Sequence, residues 1–180
     1  SKSCAASALS DNQKSIRSQT LAAAKLQGLT KQTRLTAICD GAANCWSVID
    51  SLANECKSIE RILDWFHLSM KFKNSGLGNK KLNEKLDGAK WYLWHGQVED
   101  AISRLEELKQ EVTKDTKKVN KLEKLLSYVV NNKNCIVNYD ERKNKDLVFT
   151  SQMAESNVES LINQRCKGQQ HMKWSRDGLH

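Results

Sequence analysis

Residues 35–41 read LTAICDG and contain the first predicted strand of the chain. Five residues that suit a short buried strand are followed by an aspartate and a glycine, a pair that commonly ends a strand in a turn. Apolar residues return at helical spacing from Ala43 to Lys57, and Glu60–Asp64 is a second short run that also ends in an acid. Strand, helix and strand, with about 12 helical residues between the strands, predict a parallel βαβ unit. Length alone leaves a helix open for the second run.

The chain around this unit is predicted to be helical. Asp11–Leu29 has the spacing of one helix that ends near Gly28, and SGLGN at 75–79 breaks the chain. From Lys81 to Val130, apolar residues recur three and four apart except at Asp115, which predicts an antiparallel helical hairpin or a small bundle. Residues 136–149 are predicted to be irregular. A last helix is predicted to begin at Thr150 or Ser151 and to end near Gly168.

Composition limits the classes of protein to which the chain can belong. Its 180 residues suit one domain of ordinary size, with or without an insertion. No run approaches the roughly 18 apolar residues of a membrane helix, and the N-terminus is too weakly apolar for a signal peptide. The net charge of +8 is consistent with contact to nucleic acid. Both ends are expected to be the cut edges of a longer chain.

Cysteine usage points to a reducing compartment. The six cysteines include no C-x-x-C pair, which argues against a zinc module, and they are too sparse for a disulfide framework. Cys39 and Cys45 lie in apolar surroundings and are expected to be small buried thiols. A cytoplasmic location follows.

Two acids form the candidate catalytic site. Asp40 ends the first strand, where open α/β sheets place their ligands, and Glu155 lies near the start of the last helix. Carboxylates of this kind hold the two Mg²⁺ ions of phosphoryl-transfer enzymes. Each acid also has an ordinary structural explanation, because Asp-Gly is a common turn and a helix start favours glutamate. Glu159, one turn later on the same face, competes with Glu155 and could instead belong to a capping box with Ser156.

The aromatic stretches also allow two interpretations. His67 follows two aromatic residues, and its pattern fits a core histidine as well as a catalytic one. Asp64 could cap the helix that follows it. WYLWH at 91–95 fits a packing cluster better than a base-stacking platform.

These stretches together resemble the Kra-type family of bacterial insertion-sequence transposases, which have a DDE catalytic triad in a ribonuclease-H-like core. The matching blocks follow one another along nearly the whole chain: ICDG at 38–41, ILDWFHLSM at 62–70, KWYLWHG at 90–96, NYDER at 138–142, MAESNV at 153–158, NQR at 163–165 and QHMKW at 170–174. The joint pattern is specific, whereas each block alone is not. Lys145-Asp146 departs from it, since relatives tend to have a turn glycine there.

The resemblance implies a helix-rich α/β fold with a partial ribonuclease-H-like core and an all-α insertion. Residues 1–75 would belong to the core, 76–150 to the insertion, and 151–180 to the core helix that bears the catalytic glutamate. Asp40 and Glu155 would be the metal ligands, which decides against Glu159, and His67 is included as a catalytic candidate. No strand-borne acid precedes Asp40, so the chain resembles the C-terminal part of a transposase that lacks the first catalytic aspartate and should not be active alone.

The partners follow from the same hypothesis. The enzyme would use Mg²⁺ to cleave and join DNA at transposon ends, as a homo-oligomer in the bacterial cytoplasm and without a membrane. Basic residues near the C-terminus are the predicted DNA contacts: Arg165, Lys167, Lys173, Trp174 and Arg176. An inactive transposase remnant that binds DNA or a partner helix is the alternative. A helical scaffold without a sheet, whose acids are only caps and turns, is a third.

Overall fold

The computed structural model describes residues 13–151. Two strands and seven helices follow one another in this part of the chain, with 3-10 turns at Ala53–Glu55 and Lys133–Cys135. The elements are α1 (Gln13–Leu26), β1 (Arg34–Cys39), α2 (Ala43–Asp50), β2 (Ser58–Leu63), α3 (Trp65–Asn74), α4 (Lys80–Trp94), α5 (Val98–Glu111), α6 (Thr116–Asn131) and α7 (Tyr139–Asn144). The predicted helix-rich α/β class is therefore confirmed.

The predicted parallel βαβ unit is also confirmed. β1 and β2 pair in a two-stranded parallel sheet, with α2 between them in sequence. Two backbone hydrogen bonds flank the pairing: Lys57 N–H donates to the Thr33 carbonyl and Asp64 N–H to the Cys39 carbonyl, both at 2.8 Å. The scaffold alternative predicted no sheet and is excluded on that point.

Two predicted boundaries in this unit were wrong. The helix expected over Ala43–Lys57 ends at Asp50, because the chain must be extended by Cys56 (φ −136°, ψ 168°) to begin β2 at Ser58. The second strand ends at Leu63 rather than at Asp64. Asp64 instead caps α3, as the capping alternative proposed.

The chain forms two compact units. Of the described residues, the first contains 13–35, 46–59 and Ser151, and the second contains 36–45 and 60–150. The first unit has few buried side chains, chiefly Leu52 and Cys56. An ion pair between Lys25 and Glu55, at 3.3 Å, links the end of α1 to the turn before β2.

The second unit has the main hydrophobic core. Ile62 and Leu63 of β2 are fully buried in it, and they pack with the apolar faces of α3 to α6. The helical region predicted from Lys81 to Val130 is a bundle of three helices, since α4 precedes the expected pair. Asp115 lies at the predicted turn, where its side chain accepts from the N–H groups of Lys117 and Lys118 and starts α6.

One helix lies where irregular structure was expected. α7 occupies Tyr139–Asn144 within the stretch 136–149, and the Asn138 side chain caps it by accepting from Glu141 N–H at 2.9 Å. Asn followed three residues later by Glu is a helix-start pattern, so the signal was present in the sequence. Among the helices of residues 13–151, none has both the length and the apolar composition required to cross a membrane.

Candidate active site at the carboxyl ends of the parallel strands

Asp40 lies immediately after β1 and is half-buried. Its Oδ1 accepts a hydrogen bond from Ala42 N–H at 2.8 Å, the geometry of a turn in which the side chain mimics backbone. Gly41 between them has φ +91°, which glycine adopts without strain. Burial, and then the adjacent Asp40 carboxylate, raise the pKa of the Cys45 thiol, so this thiol stays protonated beside the acid.

Asp64 follows β2 in the same way and is only 1% exposed. Its Oδ1 accepts from Phe66 N–H at 3.1 Å, and its Oδ2 lies 2.6 Å from Nδ1 of His67. Because a carboxylate can only accept, Nδ1 bears the hydrogen in this pair. The His67 side chain is 38% exposed, so it is not a buried core histidine, although one ring nitrogen is satisfied as that alternative required.

Two tyrosines bind the ends of the two strands. Tyr128 of α6 donates its hydroxyl hydrogen to the Asp40 carbonyl, and Tyr139 of α7 donates to the Leu63 carbonyl, both at 2.7 Å. Burial, followed by the charges of Asp40 and Asp64, raises the pKa of Tyr128. Burial is also the main cause of the raised pKa of Tyr139. Both hydroxyls therefore remain donors at neutral pH, and both bonds fix the strand ends to the helical core.

A close contact supports the Asp40 turn from the other side. A Cβ atom added at Gly41 would lie 2.8 Å from Oδ1 of Asn132, inside the normal contact distance. Asn132 is 7% exposed, and its Nδ2 donates to the Tyr128 carbonyl at 2.9 Å. The end of α6 therefore approaches the turn so closely that only glycine fits.

One of the two acids at this edge of the sheet, Asp40, can serve as a ligand of a hard cation. Carboxylate oxygens are preferred ligands of Mg²⁺, and Asp40 can offer them because it is only half-buried. Both carboxylate oxygens of Asp64 already accept hydrogen bonds, Oδ1 from Phe66 N–H and Oδ2 from His67 Nδ1. Within residues 13–151, no three His, Cys, Asp or Glu side chains gather closely enough to hold a metal ion. Glu155 lies outside the described residues, as do Glu159 and the predicted DNA contacts Arg165, Lys167, Lys173, Trp174 and Arg176.

The aromatic and cysteine predictions have mixed outcomes. Trp94 packs as predicted, with its ring centroid 4.8 Å from Trp65 and 6.1 Å from Tyr139, whereas Trp91 is 55% exposed. Cys39, the last residue of β1, and Cys45, in the first turn of α2, are half-buried rather than buried. The four cysteines in the described part of the chain, Cys39, Cys45, Cys56 and Cys135, form no disulfide.

Sequence patterns indicated the acids of this edge but not the residues that support them. Tyr128 is 88 positions from Asp40 and has no local signal that distinguishes it from other helix residues. Tyr139 follows the Asn138 cap, and that cap is the signal that could have located it.

Comparison of the chain with protein-family models, with curated proteins and with solved structures found no match. The functional argument therefore depends on the residues of the chain and on the geometry described above.

Proposed function

We propose that this chain is a segment of a DDE-type DNA transposase that carries out Mg²⁺-dependent strand cleavage and strand transfer at transposon ends. The main support is the placement of Asp40 and Asp64 at the carboxyl ends of two adjacent parallel strands. Ligands of open α/β sheets bind at this edge. A parallel βαβ unit followed by a helical bundle also suits a partial ribonuclease-H-like core with an all-α insertion.

The residues of the site would have distinct roles. Asp40 and Glu155 would hold Mg²⁺, which when bound activates the attacking water or 3′-hydroxyl and stabilises the leaving oxygen. Asp64 would act as a positioning residue, since it is buried and fixes the ring of His67 through Nδ1. His67 would then present Nε2 to a phosphate oxygen or to a proton in transfer. The basic residues from Arg165 to Arg176 would add DNA contacts, in a homo-oligomer in the bacterial cytoplasm.

The decisive experiment measures cleavage and strand transfer of element-end DNA by the complete gene product that contains this chain. Wild type is compared with Asp40→Asn and Glu155→Gln, with and without Mg²⁺. Asp100→Asn, in the first turn of α5 and exposed, is a matched control for the loss of one carboxylate. We expect both site variants to lose cleavage while they keep DNA affinity, and the control to keep both.

Two other results would change the assignment. Active Asp40→Asn and Glu155→Gln variants would show that these acids are only a turn residue and a helix-start residue. A wild-type protein that binds DNA but never cleaves it would favour the inactive remnant.

A further inference from the structure

A row of lysines lies along one face of α6. Lys117, Lys121 and Lys124 are followed by Tyr128, so the four residues are spaced four, three and four apart and share one side of the helix. We call the three lysines the lysine stripe. All three are exposed. The core side of α6 is a different face, formed by Leu122, Leu125, Leu126 and Val129.

The stripe leads to the candidate site. At its end, the Tyr128 hydroxyl donates to the Asp40 carbonyl at 2.7 Å. Lys71 of α3 extends the basic surface, since its Nζ lies 5.1 Å from the centroid of the Tyr128 ring. Lys121 Nζ donates to the Gly76 carbonyl at 2.8 Å, which fixes α6 beside the end of α3. Specific contacts thus place the charges of Lys71 and Lys121 relative to Tyr128 and the candidate site.

Charge is separated between neighbouring helices of this bundle. α6 contains four lysines and one glutamate, whereas α5 contains five acids and two basic residues. Lysines near the acidic helix are paired: Lys85 with Glu111, Lys109 with Glu123 and Lys133 with Glu99. Within the described part of the chain, Lys117, Lys124 and Lys71 have no carboxylate within ion-pair distance. Their charge is available to an anionic partner.

We propose that the lysine stripe and Lys71 form a contact surface for the phosphate backbone of DNA, with the bound strand directed along α6 toward Asp40. From Lys117 to Tyr128 there are 11 residue-to-residue steps, which span about 16 Å at ~1.5 Å per step. That length matches roughly five nucleotides of one strand at ~3.4 Å each. The choice of DNA rests on the proposed function, whereas the choice of a polyphosphate backbone rests on the charge pattern.

The test measures the salt dependence of DNA binding by the full chain, without Mg²⁺. Fluorescence anisotropy with a labelled 20-base-pair duplex would be recorded at several KCl concentrations for wild type and for Lys117→Gln/Lys121→Gln/Lys124→Gln. Log affinity falls as log salt rises, and each phosphate contact adds about 0.9 to the steepness of that fall. Loss of three contacts should therefore make the slope shallower by roughly 2–3. Adding Lys71→Gln should reduce the slope by about one more.

The matched control removes the same charge at three lysines that are already paired with carboxylates. Lys85→Gln/Lys109→Gln/Lys133→Gln removes three lysines that are ion-paired, and it should leave the slope near that of wild type. Helix content by circular dichroism should be unchanged in both triple variants, because lysine and glutamine have similar helix propensities.

The proposal is overturned if both triple variants reduce the slope equally, or if the stripe variant does not reduce it. Tighter binding to RNA than to DNA of the same length would overturn the choice of DNA. None of these outcomes depends on cleavage, so failure of the stripe and failure of the Asp40 metal assignment can be distinguished.

Discussion

Tyr128 donates its hydroxyl hydrogen to the carbonyl oxygen of Asp40 at 2.7 Å, and this bond joins the end of α6 to the end of β1. Asp40 therefore depends for its position on a residue 88 places later in the chain. Tyr139 makes the corresponding bond to Leu63 at the end of β2. Helices α6 and α7 thus fix the two strand ends from which the candidate site is built.

Removal of either hydroxyl should destabilise the second unit. Tyr128→Phe and Tyr139→Phe each leave a carbonyl without its donor, and a lost hydrogen bond of this kind costs about 0.5–1.5 kcal/mol, or more where the carbonyl is buried. Tyr139 and Leu63 are fully buried and Tyr128 is half-buried, so Tyr139→Phe should have the larger effect. Urea unfolding monitored by circular dichroism measures both values. A larger loss of stability in Tyr128→Phe than in Tyr139→Phe would contradict this, because it would mean that water does not replace the lost donor at the Asp40 carbonyl.

Gly41→Ala should lower the free energy of unfolding more than a glycine-to-alanine change at another position with positive φ. The new Cβ would require φ +91° of an alanine and would meet the buried Asn132 amide at 2.8 Å. Strain of about 1–3 kcal/mol is expected from the backbone alone, and the clash adds to it. Gly78→Ala is the matched control, since its φ is +70° with nothing within 4 Å. The difference between the two variants in urea unfolding isolates the Asn132 contact, and equal effects would contradict it.

The two tryptophans of α4 should differ in their contribution to stability. Trp94 is 8% exposed, and its Nε1–H donates to Asp140 at 3.0 Å, whereas Trp91 is 55% exposed. Trp94→Ala should cost about 3–5 kcal/mol, as large-to-small changes in cores do. Trp91→Ala should have a small effect on the free energy of unfolding. A large loss of DNA affinity in a stable Trp91→Ala variant would revive the base-stacking interpretation of this stretch.

The start of α6 should make stability depend on pH. A hydrogen bond from the Lys118 ammonium is the main cause that lowers the pKa of Asp115, which also caps the helix. A lowered folded-state pKa contributes stability that is present above the ordinary value of about 4 and is lost as pH falls below it. Asp115→Asn can accept the same backbone bonds without titrating. Its free energy of unfolding should therefore vary less between pH 5 and pH 2, and an unchanged pH profile would contradict the assignment.

The sequence was sufficient to predict the parts of the fold that depend on local pattern. Two short apolar runs on either side of a helical spacing predict the parallel pair β1 and β2, and Asp115 at an interruption of the apolar stripe predicts the turn before α6. The early end of α2 was not predictable in this way. It is set by the need to begin β2 at Ser58, a requirement of the sheet and not of the helix residues.

Of the candidate site, the sequence predicted the acids at the strand ends and His67, but not the residues that support them. An aspartate after a strand has a positional signal, so Asp40 and Asp64 could be recognised beforehand. The supporting contacts depend on how α6 packs against the strand end: the bond from Tyr128 to Asp40 and the close approach of Asn132 to Gly41. Residues so far apart in sequence give no periodic signal for such contacts. The role of Glu155 stays a prediction.

Asp64 and His67 should be energetically coupled. Asp64→Asn keeps an acceptor for Phe66 N–H, so the cap of α3 survives, but it removes the charge that faces Nδ1 of His67. A charge-assisted hydrogen bond is stronger than a neutral one. Because the His67 side chain is more than a third exposed, solvent screens this pair, and we expect a coupling energy of about 1 kcal/mol. A double-mutant cycle with His67→Gln, measured by urea unfolding at pH 7, gives this energy. Additive effects would show that the two side chains are adjacent but do not stabilise each other. In the complete gene product, Asp64→Asn should then lower cleavage about as much as His67→Gln does, because a positioning residue acts only through the group that it positions.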